Sequence, residues 1–336
     1  MEDFVHLHVH TNYSILDGQS KVTRLVDKAI ADGMKGMAIT DHGVMFGIKE
    51  FSDYCAKINK ERKAKGEEPF KPIFGCEMYV ARRSMHDKEK DKHDNSGYHL
   101  IVLAKNYNGY KNLIKLVSHA WVDGYYYKPR TDREELEKYH EDLIVCSACI
   151  AGEVPNKIIR GDIEGAREAC EWYHRVFGDD YYLELQRHEV KDPTLVANRE
   201  AYPLQQKANK VLMQFAKEYG VKLVCTNDCH FEDKETAEAH DHLLCLSTNE
   251  DLDDPKRMRY SKQEWFKTRQ EMNEVFSDVP EAMANTLEIL DKIESYSIDH
   301  GPIMPFFPIP ESFGTEEEWE KKFTEADLYK EFTTDE

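Results

Sequence analysis

No run of about 18 apolar residues occurs in the 336-residue chain, so it holds no segment built to cross a bilayer as a helix. The first residues also lack the apolar core of a signal peptide. An excess of positive charge is missing: Lys and Arg total 45 against 64 Asp and Glu, a net charge of −19. A surface that acidic repels phosphate backbones and argues against sequence-independent duplex binding by this chain alone. Bound divalent ions would reverse that field inside a pocket. The eight cysteines are scattered without the dense spacing of a disulfide scaffold, which reads as reduced thiols in a cytoplasm. Cys146 and Cys149 form one C-x-x-C, but a zinc ribbon needs a second pair, and Cys225 and Cys229 stand one residue too far apart. No G-x-G-x-x-G loop follows the first strand, which removes the usual sign of a dinucleotide site.

What is present is alternation. Val5-His6-Leu7-His8-Val9-His10 reads as a strand in which His6, His8 and His10 share one face while Leu7 and Val9 point into apolar packing. Two imidazoles two residues apart at a strand mouth suit one metal ion. Asp17, reached through a loop closed by Gly18, can return to that ion or to a neighbour. Taken alone, a histidine-rich strand that is merely packed gives the same pattern. A helix N-capped by Ser20 and closed at Gly33 comes next. Apolar strands follow at 36–40, 72–76, 98–104, 143–149, 181–185 and 222–226, with helical stretches between most of them. That order predicts parallel strands with helical crossovers. Ligand-type residues recur at or near strand ends: Asp41 and His42, Glu77, His99, Cys149, then Asp228 and His230. In a (β/α) barrel such ends meet around one rim, so an α/β barrel is predicted over an open sheet.

The set His8, His10, Asp17, His42, Glu77, His99, Cys149, Asp228 and His230 exceeds what one ion needs and suits two or three divalent ions. Multi-metal centres of this kind hydrolyse phosphoesters. Mixed His and carboxylate ligation favours zinc, manganese or iron over magnesium. Lys128, Arg130 and Arg187 could clamp a phosphate near the rim, although such residues more often serve as surface or ion-pair groups. His240 and His242, two apart on a helix, face away from each other and are not co-ligands. His6 fills a lower layer of the barrel.

Beyond Asp251 the character changes. Helical stretches are predicted at 263–276 and 281–293, and residues 301–314 are dense in Pro and Phe, as a linker is. The charged stretch 316–336 has no evident cap or end and reads as a chain that continues.

Together His8-Val9-His10, Thr40-Asp41-His42-Gly43, Gly75-Cys76-Glu77, Tyr98-His99 and Asp228-Cys229-His230 resemble the motifs of the PHP (polymerase and histidinol phosphatase) superfamily. The resemblance implies a distorted seven-stranded (β/α) barrel with up to three metals and a short C-terminal extension. The stretch from His6 to Gly18 is similar to one branch, the N-terminus of bacterial replicative DNA polymerase III alpha subunits. So are Tyr126-Tyr127-Lys128-Pro129-Arg130, Ser147-Ala148-Cys149-Ile150-Ala151-Gly152-Glu153, and Leu252-Asp253-Asp254-Pro255 with Arg257-Met258-Arg259-Tyr260-Ser261. This likeness runs from residue 4 to about residue 310.

The resemblance carries roles with it. It implies that His8, His10, Glu77 and Asp228 hold one ion and that Asp17, His42 and His230 hold a second. Glu77 would bridge to a third ion completed by His99 and Cys149. Asp228, His230 and Glu77 would carry catalysis, with Asp41 fixing an imidazole from behind. Several standalone relatives use His where this chain has Asp17 and Cys149, which leaves the metal count open and favours zinc at the thiolate. The implied domains are a metal-binding barrel at 1–285, then a linker and the start of a polymerase module at 286–336. The polymerising carboxylates of the family lie further downstream, so this stretch would not itself extend DNA. The implied activity is 3'–5' exonuclease or related phosphoesterase hydrolysis. A DNA 3' end, the rest of the polymerase chain and a proofreading exonuclease subunit would be the partners, with no membrane. A structural and docking module stapled by its metals is the alternative. Against a free-standing histidinol-phosphate-type phosphatase stand the replicase-like stretches outside the barrel motifs.

Overall fold

The opening histidine-rich stretch is extended, as its alternation predicts, and it joins two edges of a sheet. On one side Ala38 N donates to His6 O and Thr40 N to Val9 O, both at 2.8 Å. On the other, His10 N donates to Cys229 O at 2.7 Å and Cys229 N to His8 O at 3.1 Å. The loop after it closes because Gly18 has no side chain: a Cβ there would lie 1.9 Å from Thr11 O. This computed structural model describes residues 2–308 and 310–332.

Seven strands follow: β1 (Gly36–Ile39), β2 (Lys71–Ala81), β3 (Gly97–Ala104), β4 (Arg130–Thr131), β5 (Leu143–Cys146), β6 (Tyr181–Leu185) and β7 (Lys222–Cys225). They form one sheet in the order β1-β2-β3-β5-β6-β7, with β4 paired to β2. The sheet curls until segment 6–10 bridges β1 to the stretch just past β7, which gives the α/β barrel that the strand-end pattern predicts. Burial follows the same plan. Every residue of β1, β5 and β6 is buried, as expected where helices cover the outside and side chains fill the inside.

The expectation of parallel strands throughout is corrected at β3, which runs antiparallel to both β2 and β5. Residues 82–96 carry only a single turn at Lys90–Lys92. Without a crossover helix the chain returns beside the strand it left, as a hairpin does.

Helices α1 (Val22–Ala31), α2 (Ile48–Ala64), α3 (Tyr107–Val122), α4 (Arg133–Lys138), α5 (Glu153–Arg160), α6 (Ile163–Phe177), α7 (Ala201–Tyr219) and α8 (Ala237–Thr248) accompany the strands. Lys21, not Ser20, precedes α1, and the Ser20 hydroxyl has no hydrogen-bond partner. The helix expected at 263–276 is only α9 (Arg269–Val275). Its start is fixed by a reciprocal cap between Thr268 and Glu271, and residues before that cap pair instead with the stretch after β7 that carries His230. His230 N donates to Glu264 O at 2.8 Å and Phe266 N to Phe231 O at 2.9 Å.

The barrel unit runs to Ile298, past the expected boundary at residue 285. The cause is α10 (Pro280–Lys292), which buries Ile289 and Leu290 and packs on β7, with Asn285 Nδ2 donating to Leu223 O at 2.7 Å. In the second unit, residues 299–308 carry no helix or strand, as the Pro- and Phe-rich composition predicts, and α11 (Glu316–Glu320) and α12 (Glu325–Phe332) follow.

His6 lies in the lower layer, as expected, between Phe4 and Phe266, with Nε2 2.8 Å from Lys267 O. Burial pushes its imidazole down to about 3, so it is neutral in the fold. The unfolded chain binds a proton there at the ordinary value of about 6.5. Its share of stability is therefore complete above that pH and is lost as the pH falls toward the folded value, by about 1.4 kcal/mol per unit. Melts between neutral pH and pH ~5 are expected to show this slope, and His6→Gln to flatten it. An unchanged slope in the variant would show that His6 does not carry it.

Candidate metal centre

Seven of the nine side chains singled out at strand ends converge in three overlapping groups. They are His8, His10 and Asp228; His10, His42 and His230; and His42, Glu77 and His99, each with its ligand atoms within 4.8 Å of one another, while Asp17 borders the second. His8 Nε2 and His10 Nε2 face each other across 3.1 Å, and Asp228 Oδ1 approaches them to 3.0 and 3.2 Å. Glu77 lies between groups. Its Oε1 is 3.3 Å from His8 Nε2 and 2.7 Å from His99 Nδ1, and its Oε2 meets His42 Nδ1. Asp17 Oδ2 is 3.1 Å from His42 Nε2 and 3.9 Å from His230 Nε2. Cys149 is the peripheral member, its Sγ 3.6 Å from His99 Nδ1.

These residues fit metal ions on an observation independent of the motifs. Asp17 Oδ1, Asp228 Oδ1 and His230 Nε2 are buried and have no hydrogen-bond partner. Asp228 Oδ1 sits close to two ring nitrogens, yet no N–H points at it with hydrogen-bonding geometry. Buried polar atoms left this way are costly unless something else meets them. Asp228 is also held at φ 48°, a backbone state that non-glycine residues adopt with strain and that clusters at functional sites.

Behind the ring nitrogens stands a layer that fixes their protons. Ser14 Oγ donates to Asp41 Oδ1 at 2.8 Å, so its lone pair receives His10 Nδ1–H at 3.0 Å and leaves His10 Nε2 bare. Asp41 thus reaches the His10 ring through Ser14 and not the ring of its sequence neighbour His42. Glu184 does the same for His8, accepting from Nδ1 at 2.7 Å while Thr226 and Gln186 hold the carboxylate. His230 Nδ1 donates to Asp228 O at 2.8 Å. Tyr260 donates to Asp17 Oδ2 at 3.0 Å, and His240 Nε2 donates to Asp17 O at 2.8 Å.

Electrostatics sort the protons. Burial opposes charge on His8, but Asp228 and Glu184 outweigh it and hold the ring well above its usual range. The same contest at His42 is won by Glu77 and Asp17. Burial, then the neighbouring His42 and His230, push His10 down to about 3. Against the same burial penalty, the surrounding histidines keep Asp17, Glu77 and Asp228 below the ordinary carboxylate range. Burial, with Asp228 and Glu77 adding to it, pushes the Cys149 thiol well up.

Two expected phosphate clamps are corrected. Arg130 is fully buried and spends its guanidinium on Gly124 O (3.0 Å) and Met85 O (2.7 Å), so it braces a loop. Arg187 pairs with Asp278 at 2.5 Å and lines a cavity of about 770 Å³ that none of the nine ligand candidates lines. Lys128 does lie at the rim, its Nζ 5.3 Å from the Tyr79 ring centre, and that ring is 5.2 Å from His99.

Glu184, Ser14 and Tyr260 escaped the sequence reading. A lone Glu inside Tyr181-Tyr182-Leu183-Glu184-Leu185 was the one signal available, since a buried carboxylate in an apolar strand needs partners. Glu184→Ala is expected to lower metal affinity by about 10- to 100-fold, because outer partners of this kind set ring orientation and basicity. Calorimetric titration of the stripped chain with Mn or Zn checks this. Equal affinities would leave Glu184 a packing role only.

Residues 6–188 match the PHP domain family, more than half of the chain, and the chain belongs to that family. It is 40% identical to DNA polymerase III subunit alpha of Borreliella burgdorferi over 98% of this chain and 27% of that protein. To the Treponema pallidum subunit of the same name it is 38% identical, over 97% of this chain and 26% of that protein. The chain thus spans about a quarter of the length of these relatives. Among solved structures, histidinol phosphate phosphatase of Lactococcus lactis, complexed with zinc, histidinol and phosphate, aligns with a TM-score of 0.32 and 14% identity over 73% of this chain and 94% of that one.

Proposed function

We propose that this chain is the PHP portion of a replicative DNA polymerase alpha subunit and that its metal centre hydrolyses phosphodiesters at a DNA 3' end. The observation that carries the reading is the set of buried, partnerless ligand atoms on Asp17, Asp228 and His230, gathered from opposite ends of the chain. His8, His10, Glu77 and Asp228 would hold one divalent ion. Asp17, His42 and His230 would hold a second, and Glu77, His99 and Cys149 a third. The mixed nitrogen and oxygen donors favour zinc, manganese or iron over magnesium. When bound, such ions supply charge to the phosphate oxygens and acidify a water.

The chain's own groups do the rest. Ser14 and Glu184 keep the Nδ1 protons of His10 and His8 away from the centre, so both Nε2 atoms face it as donors. Asp228, His230 and Glu77 stand nearest the reacting phosphate in this reading, and Lys128 steadies the next phosphate along. About three-quarters of each relative lies outside the matched stretch, and polymerisation would belong there, with residues 299–336 leading toward it. The remaining polymerase chain and a proofreading exonuclease subunit are the proposed partners. The reading is tested with the purified chain and a 3'-labelled oligonucleotide: label release with Mn or Zn, abolished by chelator, is expected. No release with either ion would contradict it.

A further inference from the structure

Beside the candidate metal centre the end of α3 and the loop after it expose aromatic rings whose place the fold fixes. Trp121 Nε1 donates to Gly43 O at 2.8 Å, which ties the loop to the turn carrying His42. Gly43 itself, at φ 63°, leaves no room for a Cβ, which would lie 2.7 Å from Pro129 Cγ. The two loops are thus packed backbone against side chain. On this base Trp121 and Tyr125 stack at 5.4 Å with planes 16° apart, yet they remain 43% and 47% exposed. Tyr127 is 56% exposed and sits at φ 61°, a left-handed state that a bulky residue adopts only with strain. Its ring meets the Tyr126 ring edge-on at 4.9 Å and leaves the rest of its surface open to solvent.

Two ammonium groups accompany the rings: Lys90 lies 5.8 Å from the Tyr127 ring centre, and Lys128 5.3 Å from that of Tyr79. Among the described residues neither lysine is paired with a carboxylate, in a chain where acids outnumber bases.

We propose that residues 121–128 form a stacking shelf for unpaired nucleobases, so that the adjoining centre takes a single-stranded 3' end and not a duplex end. The proposal rests on the phosphoesterase reading above for the chemistry, but the shelf makes its own prediction about binding. Flat exposed rings stack unpaired bases with little regard to sequence, and lysines beside them meet the backbone phosphates. Inside a duplex the base faces are already covered by their neighbours. A duplex also presents twice the phosphate charge to a chain of net charge −19, which a pair of unpaired lysines does not offset.

The test is equilibrium binding of a 5'-fluorescein oligothymidylate to the 336-residue chain, read by anisotropy with Mn present and a phosphorothioate at the terminal linkage to block cleavage. Binding by the unaltered chain, weakened about tenfold or more by Tyr125→Ala/Tyr127→Ala and kept by Tyr125→Phe/Tyr127→Phe, is expected. That variant leaves the Trp121 tie to Gly43 in place. Three results would overturn the shelf: no binding by the unaltered chain, equal binding by the Ala variant, or a blunt duplex bound as tightly as the single strand. Equal binding by the Ala variant would assign the exposed rings to a protein contact instead. Cleavage of the unmodified oligonucleotide, measured separately, reports on the hydrolase reading alone.

Discussion

Asp228→Ala/His230→Ala is expected to cut metal-dependent release from a 3'-labelled oligonucleotide by more than about a hundredfold, while the chain stays folded. The magnitude follows from comparison with outer partners: losing a group that merely orients a ligand costs about 10- to 100-fold, and here donor atoms themselves are removed. Asp228 Oδ1 and His230 Nε2 have no hydrogen-bond partner to lose. The one bond lost among the described residues is His230 Nδ1–H to Asp228 O, which leaves an unpaired carbonyl and strands no buried donor. One structural tie does survive: His10 N still reaches Cys229 O through the backbone. Far-UV dichroism alongside the assay separates the two effects. Nuclease activity persisting in the folded variant would place the chemistry elsewhere.

Chelation should destabilise the chain strongly. The candidate ligands come from segment 6–10, from the turns after β1 and β7, and from β2 and β3, so ions shared among them would clamp the seam where the barrel closes. An ion present at a hundredfold above its Kd adds about 2.7 kcal/mol to the folded state. Two such ions should raise Tm by about 10 °C, since about 2–4 °C per kcal/mol holds for roughly 150–250 residues and somewhat less for a barrel running to Ile298.

The sign of the pH dependence follows from His8 and His42. In the stripped chain both rings hold protons well above their usual range, against burial, because carboxylates surround them. Their contribution is complete below about pH 6.5 and is lost as the pH rises through the raised folded values. A loaded centre needs these nitrogens without their inward protons, so it does not suffer that loss. The Tm gap between loaded and stripped chain is expected to widen from pH ~6 toward pH ~9. A constant gap, or none, would count against ions at this seam.

Much of this was legible because strand alternation is local. His8 and His10 two apart, and single ligand types at later strand ends, are enough to predict a shared rim once a barrel is assumed. The supporting groups were not legible for the opposite reason. Ser14 receives the His10 proton because Asp41, 27 positions on, takes the hydroxyl's own proton, and Glu184 reaches His8 across 176 positions, so neither arrangement leaves a spacing to read. The direction of β3 was hidden because an apolar strand has the same pattern in either sense. Arg130 misled in a different way. Its place beside Lys128 looks like a rim, but β4 pairing with β2 turns the arginine inward to carbonyls that only the folded loop presents.

The most direct measurement is the metal-to-protein ratio of the purified chain by elemental analysis, compared with His8→Ala/His10→Ala. Two or three equivalents of zinc, manganese or iron in the unaltered chain, falling by at least one in the variant, is the expected result. A ratio near zero after purification and after soaking with those ions, or one that the variant leaves untouched, would contradict a shared metal centre.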